Sequence, residues 1–337
     1  MNSRASVFIT HSPDALAHYY GARAWAALEA VATVKRRHDD APWTADTLAA
    51  AAQGCDIIVS DRSAEGSADL LARLPQLVAF CRCAVDIRNV DVAAASAEGI
   101  LITQASAGFM NSVAEWIVGV MIDLSRHISR SVLQYRAGET PAVSMGRELR
   151  GATLGIVGYG QIGRVLADVA LALGMRVCVH DPHVAVGNPK LHQVDFDALL
   201  AEADHVVCLA LATPATENLF GAAAFAAMKP SAYFINASRG NLVDEAALLA
   251  ALNSGCIAGC ALDVGRAPDQ MPSPALARHL LVIATPHIGG LTLPAIEHQS
   301  METVRQVSDI VNGRVPQGAV NAAHATRWPA WLKGRAT

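Results

Sequence analysis

Three residues in the second half of this 337-residue chain have side chains suited to carboxylate recognition and proton transfer. Each stands just past an apolar run. Ile235-Asn236-Ala237-Ser238-Arg239-Gly240 puts Arg239 behind one run, and Ala261-Leu262-Asp263-Val264 puts Asp263 behind the next. Ala284-Thr285-Pro286-His287-Ile288-Gly289-Gly290 puts His287 behind a third. A guanidinium is a planar fork that matches a carboxylate through two N–H···O bonds, and it can polarise a neighbouring carbonyl oxygen. Histidine is the side chain best able to give or take a proton near neutrality. Gly289 and Gly290 behind it permit close backbone approach. Taken singly, each residue has a plain structural reading: a surface ion pair for Arg239, a cap or turn for Asp263, a hydrogen-bonding histidine for His287. Their common place at strand ends, which face the ligand crevice of an open α/β sheet, favours chemistry.

The elements that must position them begin at a fingerprint in mid-chain. The apolar run Thr153 to Val157 ends at Gly158-x-Gly160-x-x-Gly163, and a helical pattern follows through Val165, Leu166, Val169 and Leu173. A second run, Arg176 to Val179, closes on His180-Asp181-Pro182. Strand, glycine turn, helix, strand and acid is the order that a dinucleotide site requires. Gly158 allows the tight turn, Gly160 lets the backbone approach a pyrophosphate, and Gly163 lets helix and strand lie close. The helix start supplies N–H donors and a positive dipole end. Asp181 is placed to accept from the adenosine ribose hydroxyls. The alternative, a glycine-rich turn in some other α/β protein, does not require both strands and the acid in register.

Ahead of the fingerprint, strand-like runs at 6–10, 31–35, 56–60, 77–81 and 100–103 alternate with helical stretches near 20–30, 44–53, 67–73 and 91–98. That is a five-strand βα unit with a parallel sheet. Residues 111–130 read as one long helix whose apolar face (Val113, Trp116, Ile117, Val120, Met121, Leu124) is wider than one core needs, which predicts a homodimer through it. Further strands at 205–210, 232–237, 259–263 and 281–285 fit a six- or seven-stranded doubly wound sheet, and a last helix runs from 294 to 312. The fold class expected is therefore α/β with two Rossmann-like domains. A cofactor domain at 104–290 is inserted into a discontinuous substrate-binding domain at 1–103 and 291–337, with the cleft at the hinges near 103 and 290. The tail after Asn321 has no usable periodicity.

With 52% hydrophobic and 17% charged residues, the chain has the composition of a large-cored soluble protein. A net charge of −4 leaves no basic surplus for a nucleic-acid partner. Seven Cys at apolar or Ala/Gly-rich positions read as buried free thiols; Cys81-x-Cys83 and Cys256-x3-Cys260 find no matching second pair, so no metal site is expected. Met1-Asn2-Ser3-Arg4 leads into a strand and not into a signal h-region, and the weakly charged stretch 246–264 is broken by Asn253-Ser254-Gly255 and Asp263. No membrane partner and a cytoplasmic location are the corresponding expectations.

The succession GYGQIGR, HDP, LATPATENLF, NASRGNLVDEAALLAAL, GCALDV and TPHIGG resembles the D-isomer-specific 2-hydroxyacid dehydrogenases. Asn111-Ser112-Val113-Ala114-Glu115 is similar to the opening of that family's dimer helix. Asn312-Gly313-x-x-Pro316-x-x-x-Val320-Asn321 is similar to its C-terminal signature. The resemblance covers roughly residues 75–321. It implies that Gly158, Gly160, Gln161 and Ile162, with Gly163, hold the pyrophosphate of NAD, and that Asp181 holds the ribose. Thr213 and Pro214 would flank the cofactor, and Ala237, Asp263 and Gly289 would lie near its nicotinamide end. Arg239 would bind the carboxylate and keto oxygen of a small 2-keto acid, and His287 would be the proton donor in reduction and the acceptor in oxidation. Asp181 with no basic residue after it favours NAD over NADP, because a 2′-phosphate would be repelled.

Two departures from the family pattern stand out. The Glu that pairs with the catalytic His should fall five residues after Asp263, where this chain has Pro268, or Ala267 if one residue is deleted; Asp269 is the only nearby carboxylate on that loop. In the substrate loop, which includes Arg82, Ala84 and Val85, Ala84 and Asp86 stand where Gly is expected and Arg88 where an Asp is. Two Arg so close either recruit a second acidic group on the substrate or pair with Asp86 and Asp91. The functional reading is an NAD-dependent interconversion of a 2-keto acid and its D-2-hydroxy acid. The alternatives are a formate- or phosphite-type dehydrogenase, which the Arg82–Arg88 loop does not support, and a dinucleotide-binding sensor or scaffold, which the missing Glu supports.

Overall fold

The computed structural model describes residues 4–336. The chain divides into two compact units, Met1–Gly108 with Thr292–Thr337 and Phe109–Leu291. The changeovers at 108/109 and 291/292 lie a few residues from the expected 103/104 and 290/291.

The first unit holds five parallel strands, β1 (Ser6–Ile9), β2 (Thr33–Arg36), β3 (Ile57–Ser60), β4 (Ala79–Arg82) and β5 (Leu101–Gln104), in the order β2-β1-β3-β4-β5. β3 and β4 are buried along their whole length. Such continuous apolar runs suit strands covered on both faces. One face packs Leu28, Val307, Ile310 and Trp328, and the other Leu48, Leu70, Leu71 and Leu74. The order reverses between β1 and β3, so the carboxyl ends of these strands form a switch point. The chain tail, unreadable from sequence, is the helix Arg327–Ala336, which closes this core: Trp328 Nε1 donates to the Ile310 carbonyl and Trp331 Nε1 to Asp56, both at 2.9 Å.

The second unit has seven parallel strands, β6 (Thr153–Val157), β7 (Arg176–His180), β8 (His192–Gln193), β9 (His205–Cys208), β10 (Tyr233–Asn236), β11 (Gly259–Leu262) and β12 (Val282–Ala284). Their order is β12-β11-β10-β9-β6-β7-β8, with the reversal between β6 and β9. The glycine turn therefore leaves β6 at the switch point, where ligands bind in this architecture.

The long helix expected at 111–130 is instead two helices, Met110–Arg126 and Ile128–Arg136. His127 between them is left-handed (φ 56°), and the Asp123 carboxylate turns forward to accept from the N–H and hydroxyl of Ser129. That side-chain capture ends one helix and starts the next without Gly or Pro. The apolar face of the first helix is also accounted for locally. Val113, Ala114, Ile117, Val120, Met121 and Leu124 are buried in the same core as Leu166, Ala167 and Ala170 of the helix Gln161–Ala172.

Candidate functional site

The glycine turn is shaped by sterics. Gly158 has φ 102°, and a Cβ there would stand 2.6 Å from the backbone of Leu209 and Ala210, so only glycine fits. A Cβ on Gly163 would meet the Gly158 carbonyl at 2.5 Å, whereas nothing lies within 4 Å of one on Gly160. Gly160 caps the helix Gln161–Ala172 without a side chain to accept from the first-turn N–H groups, which include those of Gln161 and Ile162. Asp181 ends β7 and accepts from the N–H groups of Tyr159 (2.8 Å), His183 (2.8 Å) and Val184 (3.1 Å). Burial pushes its carboxyl up, and these N–H bonds outweigh it, leaving the group below the usual carboxylate range. A carboxylate offers about four lone-pair directions, so capacity remains for ribose hydroxyls. An open phosphate cradle with an ionised acid opposite is the donor and acceptor set that NAD requires, and these residues fit it. Thr213 and Pro214 follow β9 in a short 3-10 turn that Thr213 closes with Thr216.

Arg239 and His287 follow β10 and β12, which flank β11. At ordinary sheet spacing their strands are about 10 Å apart. The Arg239 loop is pinned by Asn236, whose amide donates to the Arg239 carbonyl and accepts from the Ser238 N–H, both at 3.0 Å; Ala237 lies between them. A Cβ on Gly240 would stand 2.1 Å from the Gly265 carbonyl oxygen, so the loops after β10 and β11 touch backbone to backbone.

Asp263, at the end of β11, is 4% exposed. Its carboxylate accepts from Thr285 Oγ1 (2.6 Å) and from the N–H groups of Ile288 (2.8 Å) and Gly289 (2.7 Å). The residue expected beside the nicotinamide thus spends these bonds on the loop that carries His287. His287 is left-handed (φ 57°), and its N–H donates to the Thr285 carbonyl at 3.0 Å. A non-glycine residue in that region costs roughly 1–3 kcal/mol. Hydrogen bonds to a charged group contribute about 1.5–3 kcal/mol each, so the three Asp263 bonds are sufficient to hold the strained turn. Gly289 must be glycine, since a Cβ would lie 2.8 Å from Asp263 Oδ2. Pro268 and Asp269 fall in the turn Pro268–Gln270; the side chain of Asp269 lies outside the described residues.

In the first unit, Arg82 at the end of β4 is buried and donates to the carbonyls of Asp86 (3.2 Å) and Ser60 (3.4 Å). Arg88 forms a bidentate pair with Asp86 at 2.6 to 3.1 Å, while Asp91 caps the helix Val92–Ala97. Of the two readings left open for these arginines, the Asp86 pair is present for Arg88, and the Asp91 pair is replaced by a helix cap. Ala84 accepts from the Ala105 N–H at 3.0 Å, and Val85 follows it in the loop. Sequence reasoning missed His11, which follows β1: it is buried, its Nδ1 has no hydrogen-bond partner, and burial lowers its pKa to about 4 despite Asp61 nearby. All seven cysteines are free thiols, and six are buried. No helix among the described residues is long and apolar enough to cross a membrane.

Residues 118–289 match the family description "D-isomer specific 2-hydroxyacid dehydrogenase, NAD binding domain". The chain is 35% identical to D-3-phosphoglycerate dehydrogenase of Synechocystis sp. over 73% of its own length and 45% of that protein's. It is 38% identical to (S)-sulfolactate dehydrogenase of Chromohalobacter salexigens over 71% of this chain and 79% of the relative. Among solved structures, the TT0316 protein of Thermus thermophilus superposes with a TM-score of 0.83 at 28% identity, covering 94% of this chain and 99% of that one. The chain spans about half the length of the phosphoglycerate dehydrogenases that it matches, 45% and 52% in two of them. With its NAD-binding fingerprint, its doubly wound sheets and these similarities, the chain belongs to the D-isomer-specific 2-hydroxyacid dehydrogenase family.

Proposed function

We propose that the chain catalyses the NAD-linked interconversion of a small 2-keto acid and its D-2-hydroxy acid. One observation carries the proposal: a basic fork and an imidazole stand at strand ends two apart in the sheet that holds the dinucleotide cradle, and the imidazole sits on a backbone turn strained and clamped by Asp263. Strain of this kind gathers at functional sites. NAD, when bound in its reduced form, supplies a hydride. Arg239 holds the substrate carboxylate and polarises the keto oxygen, fixing the carbonyl for attack. His287 gives its proton to the oxygen as negative charge develops there, and takes it back in oxidation. We also propose a homodimer and, from the seven free thiols, a reducing, cytoplasmic setting.

The relatives are named for acids with a second anionic group, phosphoglycerate and sulfolactate. The test therefore follows NADH oxidation with glyoxylate, hydroxypyruvate and phenylpyruvate, and with phosphohydroxypyruvate and sulfopyruvate. At least one should be reduced, and His287→Ala should lower its kcat by about 10²–10⁴-fold with NADH affinity nearly unchanged. Tight NADH binding with no keto acid reduced would leave the sensor reading, which the Pro268 substitution favours. Loss of NADH binding in His287→Ala would make His287 structural.

A further inference from the structure

The outer edge of the first sheet carries a groove whose residues the hydride-transfer reading leaves unused. β2 is an edge strand paired to β1 alone, and it presents Lys35 and Arg36, with Arg37 and His38 next in the chain. These open on a cavity of about 810 Å³ walled by Trp25 and Trp43. The Arg37 guanidinium lies 4.1 Å from the Trp43 ring centre, and that of Arg36 lies 5.6 Å from the Trp25 ring centre. Trp43 is itself fixed: its Nε1 donates to the Thr10 carbonyl at 3.1 Å, and its ring meets Phe8 edge-on at 5.8 Å. Stacking of this kind orients a guanidinium plane while leaving its N–H edge for acceptors.

The cations here are incompletely satisfied. The Arg37 side chain is only 6% exposed; one terminal nitrogen donates to Asp39 and to the Ala41 carbonyl, yet its Nε is shut from water without a hydrogen-bond partner. A buried charged donor left unpaired is costly, and such a group calls for an explanation. Lys35 and Arg36 are exposed, and neither forms an ion pair among the described residues. Two carboxylates line the cavity, Glu29 and Asp39. Asp39 is committed to Arg37, whose hydrogen bond holds its carboxyl below the usual range. Three permanent cations thus converge on one groove of a chain whose net charge is −4.

We propose that this groove binds a small polyanion, a phosphorylated or polycarboxylate metabolite, through the forks of Arg36 and Arg37 and the ammonium of Lys35. Guanidinium forks match phosphate and carboxylate equally well, which fixes the charge class and leaves its source open. The chain's overall negative charge and the groove's size favour a small anion over a nucleic acid. The site uses none of the residues assigned to the cofactor or the keto acid.

Calorimetric titration of the full chain at low ionic strength tests this, with NADH present to fill the dinucleotide cradle. Inorganic pyrophosphate and citrate are the probes. One or both should bind with one-to-one stoichiometry, pyrophosphate alone marking a phosphorylated ligand and citrate alone a polycarboxylate. Arg36→Glu, at an exposed position, should weaken binding about tenfold or more and leave NADH affinity intact, and Lys35→Glu should act in the same direction. Binding of neither anion, or binding that both variants leave unchanged, would overturn the proposal. Failure of NADH to bind would count against the dehydrogenase reading, and the same anion titrations without NADH would still decide this one.

Discussion

The carboxylate of Asp263 ties Thr285, Ile288 and Gly289 into one turn, so its removal is felt first at His287. Asp263→Asn replaces one accepting oxygen with an NH₂ donor that must face a backbone N–H, that of Ile288 or that of Gly289. The strained turn then relaxes, and a misplacement of about 1 Å costs about 10²-fold in rate. We expect kcat per folded enzyme to drop by that order, with a smaller change in KM, in steady-state assays paired with circular dichroism. A lowered thermal midpoint with full kcat in the folded fraction would make Asp263 merely structural. At this scale the sequence carried the placement of Arg239, Asp263 and His287 just past three strands, because strand ends followed by Arg, Asp and His are visible as a pattern. It did not carry the direction of the Asp263 side chain, which depends on a loop closing 22 to 26 residues away. Nor did it mark His11, a lone histidine after a short strand.

Strands were the most legible elements, since apolar runs between turn signals read the same way in sequence and in the sheets. Among the features that escaped are the two-residue edge strand β8, the tail helix, and the break at His127. The break rests on Asp123 reaching Ser129, a local hydrogen bond that competes with the helix and leaves no Gly or Pro to read. Two buried histidines give these sheets a pH response. His205 opens β9 and shares a 3.0 Å hydrogen bond with Ser125, and burial lowers its pKa to about 4, as burial does for His11. The unfolded chain binds these protons near the ordinary histidine pKa of 6.5, so between pH 6.5 and about 4 it holds more protons than the folded one. Stability is therefore undiminished above pH 6.5 and falls as pH drops toward 4, by at most about 3 kcal/mol per histidine. Denaturant unfolding across that range should have a shallower pH slope in His205→Asn than in the wild type. Equal slopes would show that His205 is not the group responsible.

For the whole molecule, the exposed apolar residues shift where self-association is expected. The buried face of Met110–Arg126 serves its own unit, but Leu133 and Tyr135 on the next helix are about two-thirds exposed, and Val143 and Met145 are almost fully so. Single exposed apolar residues are ordinary; a run of them along one stretch of chain suits a partner copy. Sedimentation equilibrium should find a dimer in the wild type and a monomer in the double variant Val143→Asp/Met145→Asp. A monomeric wild type would remove the dimer from the account. The overall organisation was legible because a mid-chain fingerprint with strands on both sides admits few topologies. The substrate was not, because loop conformation is not written in residue types: in the Arg82–Arg88 loop, Arg88 turns to Asp86. The central claim, hydride transfer to the C2 carbon of a keto acid, is tested most directly with NADH carrying deuterium at both C4 positions and whichever keto acid the chain reduces. The account predicts a D-2-hydroxy acid carrying deuterium at C2, formed by the wild type and lost in His287→Ala; a product without the label, or of L configuration, would contradict it.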